Sequence, residues 1–298
     1  MSNYIDVLKA DLLLLLAALI WGSAFVAQRV GMDYLPPFYF NGLRFLLGGG
    51  CLLVFICFSS AKKQLLRLGK DKGLLSSGII LGCLLFLASS LQQVGMQYTT
   101  AGKAGFITSL YVVIVPLLGI FLKQKVNFGI VLGVILSVVG LYLLSIKSNF
   151  SMDKGDFLVL LCAFVFSIHV LAVSFYAYKY DCLVLAFLQF ITTGILSLLV
   201  AFGFEVVSLS AIREGALPLI YGGMFSVAIA YTLQIIAQKS APPAHAAIIL
   251  SLESVFAALT GWIILGESLS LRAKLGCALM LVGVLIAQVW PYLFKRNT

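Results

Sequence analysis

The sequence is dominated by long apolar runs separated by short polar connections. Each run has about 20 residues, the length that an α-helix needs to cross the hydrocarbon core of a bilayer. Hydrophobic residues occupy 62% of the 298 positions and charged residues only 10%, which is too little polar surface for a water-soluble chain. We therefore predict an all-α integral membrane protein of ten transmembrane helices, near residues 11–32, 37–58, 74–97, 100–122, 128–146, 155–177, 182–204, 216–237, 244–264 and 271–290.

Composition and spacing argue against several other kinds of protein. The six cysteines are scattered through apolar runs with no Cys-x-x-Cys pair, so neither a metal site nor a disulfide framework is indicated. No glycine loop of the phosphate-binding type is present, so no nucleotide cofactor is expected. The net charge of +9 comes from Lys and Arg residues between the apolar runs. That distribution fits orientation in a membrane better than binding of nucleic acid.

Positive residues are concentrated in alternate connections, which predicts how the chain is oriented. With a cytoplasmic N-terminus, the cytoplasmic connections carry twelve Lys and Arg residues and the opposite ones carry seven. The cluster between Lys62 and Lys72 contributes most of this difference. Because short cytoplasmic loops are enriched in Lys and Arg, we expect both termini to lie in the cytoplasm.

The two halves of the chain resemble each other. Ala104–Leu110 aligns with Ala246–Leu252 at a constant offset. The first helices of the two halves also match, with Asp11, Ala18, Trp21 and Gly22 against Asp156, Ala163, Phe166 and Ser167. Five helices per half is an odd number, so the second copy has to enter the membrane from the opposite side. We predict two inverted five-helix repeats, residues 1–150 and 151–298, around a central cavity.

Specific motifs carry a resemblance to a known family. They are Trp21-Gly22-Ser23, Arg44-Phe45, Tyr98-Thr99-Thr100-Ala101, and the block from Leu250 to Ala258 followed by Gly266-Glu267 and Gly276. With these motifs the chain resembles the EamA type of the drug/metabolite transporter superfamily over essentially its whole length. The resemblance implies a ten-helix transporter of small metabolites, usually an exporter in the bacterial cytoplasmic membrane. The family commonly has Pro where this chain has Ser254, which weakens any transfer of a substrate from relatives.

Polar residues at membrane depth are the candidates for function, because an unpaired polar group in hydrocarbon costs several kcal/mol. Glu253 lies near the centre of the ninth predicted helix, where it could bind a proton, a substrate amine or a basic neighbour, or serve as a packing element. Arg44 could hold a carboxylate or phosphate with its guanidinium fork, or snorkel and tie helix ends together. His169 could titrate near neutral pH or bridge two helices.

Glutamines recur at equivalent positions of the two halves. Gln92 and Gln93 correspond to Gln234, and Gln189 corresponds to Arg44. Equivalent positions converge on the pseudo-twofold axis, where inverted-repeat transporters place the ligand. Hydrogen bonding between helices is the alternative role for each glutamine. Trp21 is deep enough to form a cavity wall, with simple packing as the alternative.

The predicted site combines these side chains. The candidate substrate-binding residues are Trp21, Arg44, Gln92, Gln93, His169, Gln189 and Gln234, and the proton-coupling candidate is Glu253. His245 follows Pro242-Pro243 and is expected in a loop near the cytoplasmic surface.

A secondary transporter is the function that the sequence favours. Its partners would be the bilayer and a small molecule that is amino acid-like or related, with protons as the candidate coupling ion. A membrane-embedded lipid-modifying enzyme would need clustered acids or a His/Asp constellation, and this chain has one deep acid and one deep histidine. A channel would need a filter formed by a ring of groups, which the sequence does not indicate.

The predicted orientation can be tested with topology reporters. Fusions at Lys70 and at Thr298 should both read as cytoplasmic, because both positions lie on the side with the excess of positive charge. A periplasmic signal from either fusion would contradict this orientation.

Overall fold

The fold, taken from a computed structural model, is helical throughout the part of the chain that the structure describes, residues 2–99, 101–123, 126–145, 153–265 and 270–293. The helices are α1 (Ser2–Gly31), α2 (Pro37–Cys57), α3 (Lys62–Leu66), α4 (Lys72–Gly95), α5 (Ala101–Thr108), α6 (Tyr111–Phe121), α7 (Phe128–Ser145), α8 (Lys154–Ala177), α9 (Cys182–Phe204), α10 (Leu209–Glu214), α11 (Ala216–Ile220), α12 (Thr232–Gln238), α13 (Pro243–Leu250), α14 (Glu253–Leu265) and α15 (Leu271–Leu293). Four features of the sequence lie outside the described residues: the predicted repeat boundary at 150/151, Thr100, the Gly266-Glu267 motif and Thr298.

Eight stretches of the described chain are long and apolar enough to cross a membrane. They are Asp6–Gly31, Pro37–Cys57, Lys72–Gly95, Gly102–Phe121, Lys154–Ala177, Cys182–Phe204, Ala216–Gln238 and Pro243–Thr260. A shorter apolar helix, Phe128–Leu143, accompanies them. The described chain is therefore all-helical and multi-pass.

Each spanning helix has one side exposed at the perimeter and one side buried inside the protein. In α1, Leu12 and Leu16 are exposed, whereas Leu14, Ala17 and Ala18 are completely buried. In a bilayer the exposed leucines contact acyl chains, so the inner sides of the helices are the places where polar groups can meet.

Helix starts are fixed by side chains that accept the free backbone N–H groups. Asp71 accepts from the Leu74 N–H at 2.9 Å at the start of α4. Both oxygens of Glu205, just beyond α9, accept from the first turn of α2, at 3.0 Å from Phe38 N and 2.8 Å from Tyr39 N. A carboxylate at a helix N-terminus also interacts favourably with the helix dipole. Glu205 therefore ties α2 to α9, the helix that it packs against.

Glycines bring the backbones of α7 and α15 into direct contact. A Cβ on Gly133 would lie 2.8 Å from the Gly283 carbonyl oxygen, and a Cβ on Gly140 would lie 2.6 Å from the Gly276 carbonyl oxygen. Small residues at helix interfaces allow this close approach in a membrane, where dispersion contacts replace the hydrophobic driving force.

Two of the predicted helices are interrupted in mid-span. The predicted helix at 100–122 breaks at Ser109 and Leu110, between α5 and α6, and the one at 244–264 breaks at Ser251 and Leu252, between α13 and α14. A third predicted helix, 216–237, contains a π-helical segment, Tyr221–Tyr231, between α11 and α12. Irregular backbone at membrane depth is tolerated only inside protein or along a cavity.

The expectation that His245 lies in a loop is wrong. Pro242-Pro243 starts α13, with Pro243 at its first position, and His245 is buried in the first turn. Proline is favoured at the first position of a helix because that residue's N–H needs no helical partner. His245 is therefore held inside the protein, where its Nε2 lies 2.7 Å from Asp11 Oδ1.

The fold should depend on the close glycine contact between α7 and α15. Gly140→Val places side-chain atoms against the α15 backbone and should lower the free energy of unfolding by about 1–3 kcal/mol. The control is Gly50→Val, since no heavy atom lies within 4 Å of a Cβ built on Gly50. Thermal unfolding midpoints of both variants in detergent test this. Equal midpoints for the two variants would show that the close contact at Gly140 is not needed for stability.

Candidate functional site

The two helix breaks face each other inside the protein. Ser109, in the first break, donates from Oγ to Glu253 Oε1 at 3.4 Å, and Glu253 is the first residue after the second break. Tyr111, the first residue after the first break, lines the same cavity as Glu253. The two broken helices thus bring a carboxyl group and a phenol together in the interior.

A cavity opens beside this junction. Its lining comes from both halves of the chain: Trp21, Phe25, Gln28, Arg44, Gln92, Thr108, Tyr111, Phe166, Val170, Ser226, Tyr231, Gln234, Leu250 and Glu253. The cavity volume is about 40 Å³. The cavity is therefore a narrow cleft, smaller than most small-molecule sites.

Arg44 brings a buried cation to the cavity. Its Nε donates to Asn41 Oδ1 at 3.0 Å, and Asn41 in turn donates to the Ser89 carbonyl oxygen at 3.0 Å. The guanidinium carbon lies 5.6 Å from the ring centre of Phe40 and 5.0 Å from that of Phe45. Within the described residues, Arg44 forms no ion pair. Its charge is stabilised by an amide and two aromatic faces, and no carboxylate of the described chain occupies its fork.

Aromatic rings form one wall of the cavity. The rings of Trp21 and Tyr231 have centroids 4.6 Å apart. Trp21 donates from Nε1 to the Ser226 carbonyl oxygen at 3.1 Å. Ser226 and Tyr231 belong to the π-helical segment, whose wider turns shift side chains and carbonyls relative to an α-helix. The π-helical segment therefore supplies both an acceptor and a ring to the cavity wall.

Several polar atoms around the cavity have incomplete hydrogen bonding. Gln92 donates from Nε2 to Thr108 Oγ1 at 3.1 Å. The buried Oε1 atoms of Gln28 and Gln234 accept no hydrogen bond from any described residue. Buried polar atoms are normally paired, so a cluster of unpaired ones marks a place where a ligand or water can bind.

The structure groups some of the predicted site residues and separates others. Trp21, Arg44, Gln92, Gln234 and Glu253 line the cavity together.

The other three predicted residues, Gln93, His169 and Gln189, are buried but do not line the cavity. His169 Nε2 lies 3.0 Å from Gln189 Oε1, so these two residues bridge α8 and α9. Gln93 Nε2 donates to the Gln28 carbonyl oxygen at 3.5 Å. Their contacts are those expected of hydrogen bonding between helices, the alternative that the sequence left open.

Some cavity residues were not predicted. Phe25 and Gln28 follow Trp21 by one and two helical turns, so helical spacing on α1 could have identified them. Phe166 and Tyr111 occupy the positions that correspond to Trp21 and Glu253 in the other half, and this correspondence was the available signal. Ser226 and Tyr231 depend on the π-helical geometry, for which the sequence offers no comparable signal.

Comparison with known sequences assigns the family. The model of the EamA-like transporter family matches residues 8–146 and, again, residues 153–288. The chain belongs to the EamA-like transporter family. This confirms the resemblance found from the motifs. The cavity described above therefore belongs to a membrane protein of a transporter family.

Relatives of this EamA-like chain are also named as transporters. An "uncharacterized transporter" of Archaeoglobus fulgidus is 36% identical, covering 95% of this chain and 86% of its own length. The "uncharacterized transporter YoaV" of Bacillus subtilis is 25% identical, covering 93% of this chain and 95% of its own length. A solved crystal structure with 19% identity superposes with a TM-score of 0.77 over 96% of this chain and 99% of its own, which shows the shared fold.

The hydrogen bond from Arg44 to Asn41 should contribute to the stability of the fold. Asn41→Leu removes the acceptor of Arg44 Nε and should lower the free energy of unfolding by about 1.5–3 kcal/mol, the range for hydrogen bonds to charged groups. In the double variant Asn41→Leu/Arg44→Met both polar partners are gone, so much of that loss should be recovered. Thermal unfolding in detergent distinguishes these cases. A double variant as unstable as the sum of the two single variants would contradict this account.

Proposed function

We propose that this protein is a secondary active transporter that exports a small, amino acid-like metabolite across the bacterial cytoplasmic membrane by alternating access. The observation that carries the proposal is the cavity at the two helix breaks, which is lined from both halves and holds one guanidinium and one carboxyl group. Discontinuous helices at a repeat interface are the usual construction of a transporter binding site.

The proposed architecture is a pair of inverted repeats, residues 1–150 and 151–298, with ten membrane-spanning helices and both termini in the cytoplasm. The ten helices would be α1, α2, α4, α5 with α6, α7, α8, α9, α11 with α12, α13 with α14, and α15. Support comes from the two successive matches of the family model and from the paired breaks at equivalent positions. Five crossings before α8 place the second repeat in the opposite orientation.

The chemistry of the cavity suits a zwitterion. Arg44 can form two parallel hydrogen bonds with a carboxylate, because the two terminal nitrogens of a guanidinium match the spacing of carboxylate oxygens. Glu253 lines the same cavity from a different helix, α14, and can bind an amine or a proton. The rings of Trp21, Phe166 and Tyr231 supply apolar walls for a side chain or aliphatic part.

The substrate can be found without assuming its identity. Metabolites are profiled in cells with and without the gene, and compounds that accumulate without it are tested by counterflow in proteoliposomes. An amino acid-like compound that exchanges through the purified protein supports the proposal. Counterflow only of compounds with neither a carboxylate nor an amine would overturn the assigned substrate class.

Glu253 should couple transport to protons. Glu253→Gln keeps the shape of the side chain and its hydrogen bonding but cannot release a proton. Proton-driven uptake into inside-out vesicles should fall to the background rate, while substrate exchange without a gradient should persist. Glu214→Gln is the matched control, since Glu214 is exposed at the end of α10. Full transport by Glu253→Gln with an unchanged pH profile would rule out the coupling role.

Arg44 is proposed to hold the anionic group of the substrate. Arg44→Lys keeps a cation but loses the fork, so it should raise the substrate concentration for half-maximal exchange more than it changes the response to a proton gradient. Arg213→Lys, at an exposed position of α10, is the control. A normal half-maximal concentration in Arg44→Lys would show that Arg44 only packs against its neighbours.

A further inference from the structure

Two acid-to-base contacts connect helices outside the cavity lining. His245 Nε2 lies 2.7 Å from Asp11 Oδ1 and joins α13 to α1. Lys103 Nζ lies 2.7 Å from Asp156 Oδ2 and joins α5 to α8. Each pair links one half of the chain to the other half.

The two pairs occupy equivalent positions. Asp11 and Asp156 correspond in the alignment of the two halves, and Lys103 and His245 immediately precede the aligned Ala104 and Ala246. The same acid-to-base contact therefore occurs twice. In one pair the first half of the chain supplies the acid and the second half the base, and in the other pair the reverse is true.

The pairs lie at opposite ends of the molecule. Asp11 precedes the cavity residue Trp21 by ten positions, and Asp156 precedes Phe166 by the same number, which is about 15 Å along each helix. In the proposed topology, five crossings separate the start of α1 from the start of α8, so the two helices start on opposite sides of the membrane. The cavity thus lies between the two pairs.

Both carboxylates and the His245 ring are largely shielded from water, whereas the Lys103 side chain is 31% exposed. The side chains of His245 and Asp11 are only 10% and 12% exposed. Asp156 is more deeply buried and also accepts from Thr99 Oγ1 at 2.6 Å and from Asp153 N at 3.1 Å. Shielding from water strengthens a charge-assisted hydrogen bond, so separating either pair costs more free energy than separating an exposed one.

The backbone is also tightly packed beside Asp156. A Cβ on Gly155 would lie 2.6 Å from the Gly95 carbonyl oxygen, so α8 and α4 approach each other without intervening side chains. At this end, α8 is therefore held to α5 by the Lys103–Asp156 contact and to α4 by the glycine contact.

We propose that the Asp11–His245 pair and the Asp156–Lys103 pair are two latches that close the cavity toward opposite sides of the membrane. Opening toward one side separates the pair on that side, while the other pair stays formed. This inference depends on the alternating access proposed above, and it assigns a gating role to four residues outside the binding cavity. Both latches are closed in this structure, in agreement with the narrow cleft between them.

Cysteine accessibility tests the latches directly. A single cysteine is placed at Val170, which lines the cavity, in a variant whose six native cysteines are replaced by alanine. Labelling by a membrane-impermeant maleimide is compared in right-side-out and inside-out vesicles. Lys103→Ala should increase labelling from one side and His245→Ala from the opposite side, each by about fivefold, the factor expected for loss of one favourable ion pair.

Matched variants separate the latches from general effects of charge. Asp33→Ala breaks the exposed Arg29–Asp33 pair, which joins the last turn of α1 to the residues just after it and does not connect two helices, so labelling from either side should not change. Lys103→Arg keeps the charge and should label like the parent. If Lys103→Ala does not fold, Lys103→Gln replaces it, with the same result expected. Increased labelling from the same side in both latch variants, or no change in either, would overturn the proposal.

Transport assays distinguish this inference from the proposed function. Counterflow by the native protein, together with no opposite shifts in labelling, would reject the latches and leave the transporter proposal intact. Opposite shifts in labelling, with no exchange of any amino acid-like compound, would support the two closures and reject the proposed substrate class.

Discussion

A polar group inside a bilayer has no water to bond with, and this constraint organises the whole protein. Backbone groups are satisfied within helices, and polar side chains face inward. The helix breaks at Ser109 and Ser251 leave backbone groups outside the regular helical pattern, so they are stable only in the protein interior. Ser251 and Ser254 partly compensate for this, because Ser251 Oγ donates to the Ile248 carbonyl oxygen and Ser254 Oγ to the Ser251 carbonyl oxygen, both at 2.7 Å.

The same constraint connects the architecture to transport. Interrupted helices concentrate polar groups at one depth, and the cavity forms where two such interruptions meet. Elsewhere the packing uses glycines, which allow backbones to touch without adding polar groups, as in the contact between α7 and α15. The regular helices therefore form a closely packed framework, and the junction between the two breaks brings Glu253 and Arg44 to one cavity.

The correspondence between the two halves predicted part of the cavity lining. Residues at equivalent positions, such as Gln92 and Gln234, both line the cavity. Gln189 corresponds to Arg44 yet faces His169 instead, because a correspondence in sequence does not require the two halves to be packed identically around a ligand. The prediction that His245 lies in a loop was wrong, because a proline pair can begin a helix as well as end one.

The sequence by itself determined the membrane setting, the helical class, the approximate limits of the spans and the family, because hydropathy, helical length and motifs are local properties of the chain. Only the tertiary structure decided which faces of the helices meet, that Ser109 and Ser251 interrupt their helices at one junction, and that Asp11 pairs with His245 while Asp156 pairs with Lys103. These features depend on how each helix is rotated against its neighbours. That rotation is set by packing between residues as far apart in the sequence as Asp11 and His245, which no local pattern records.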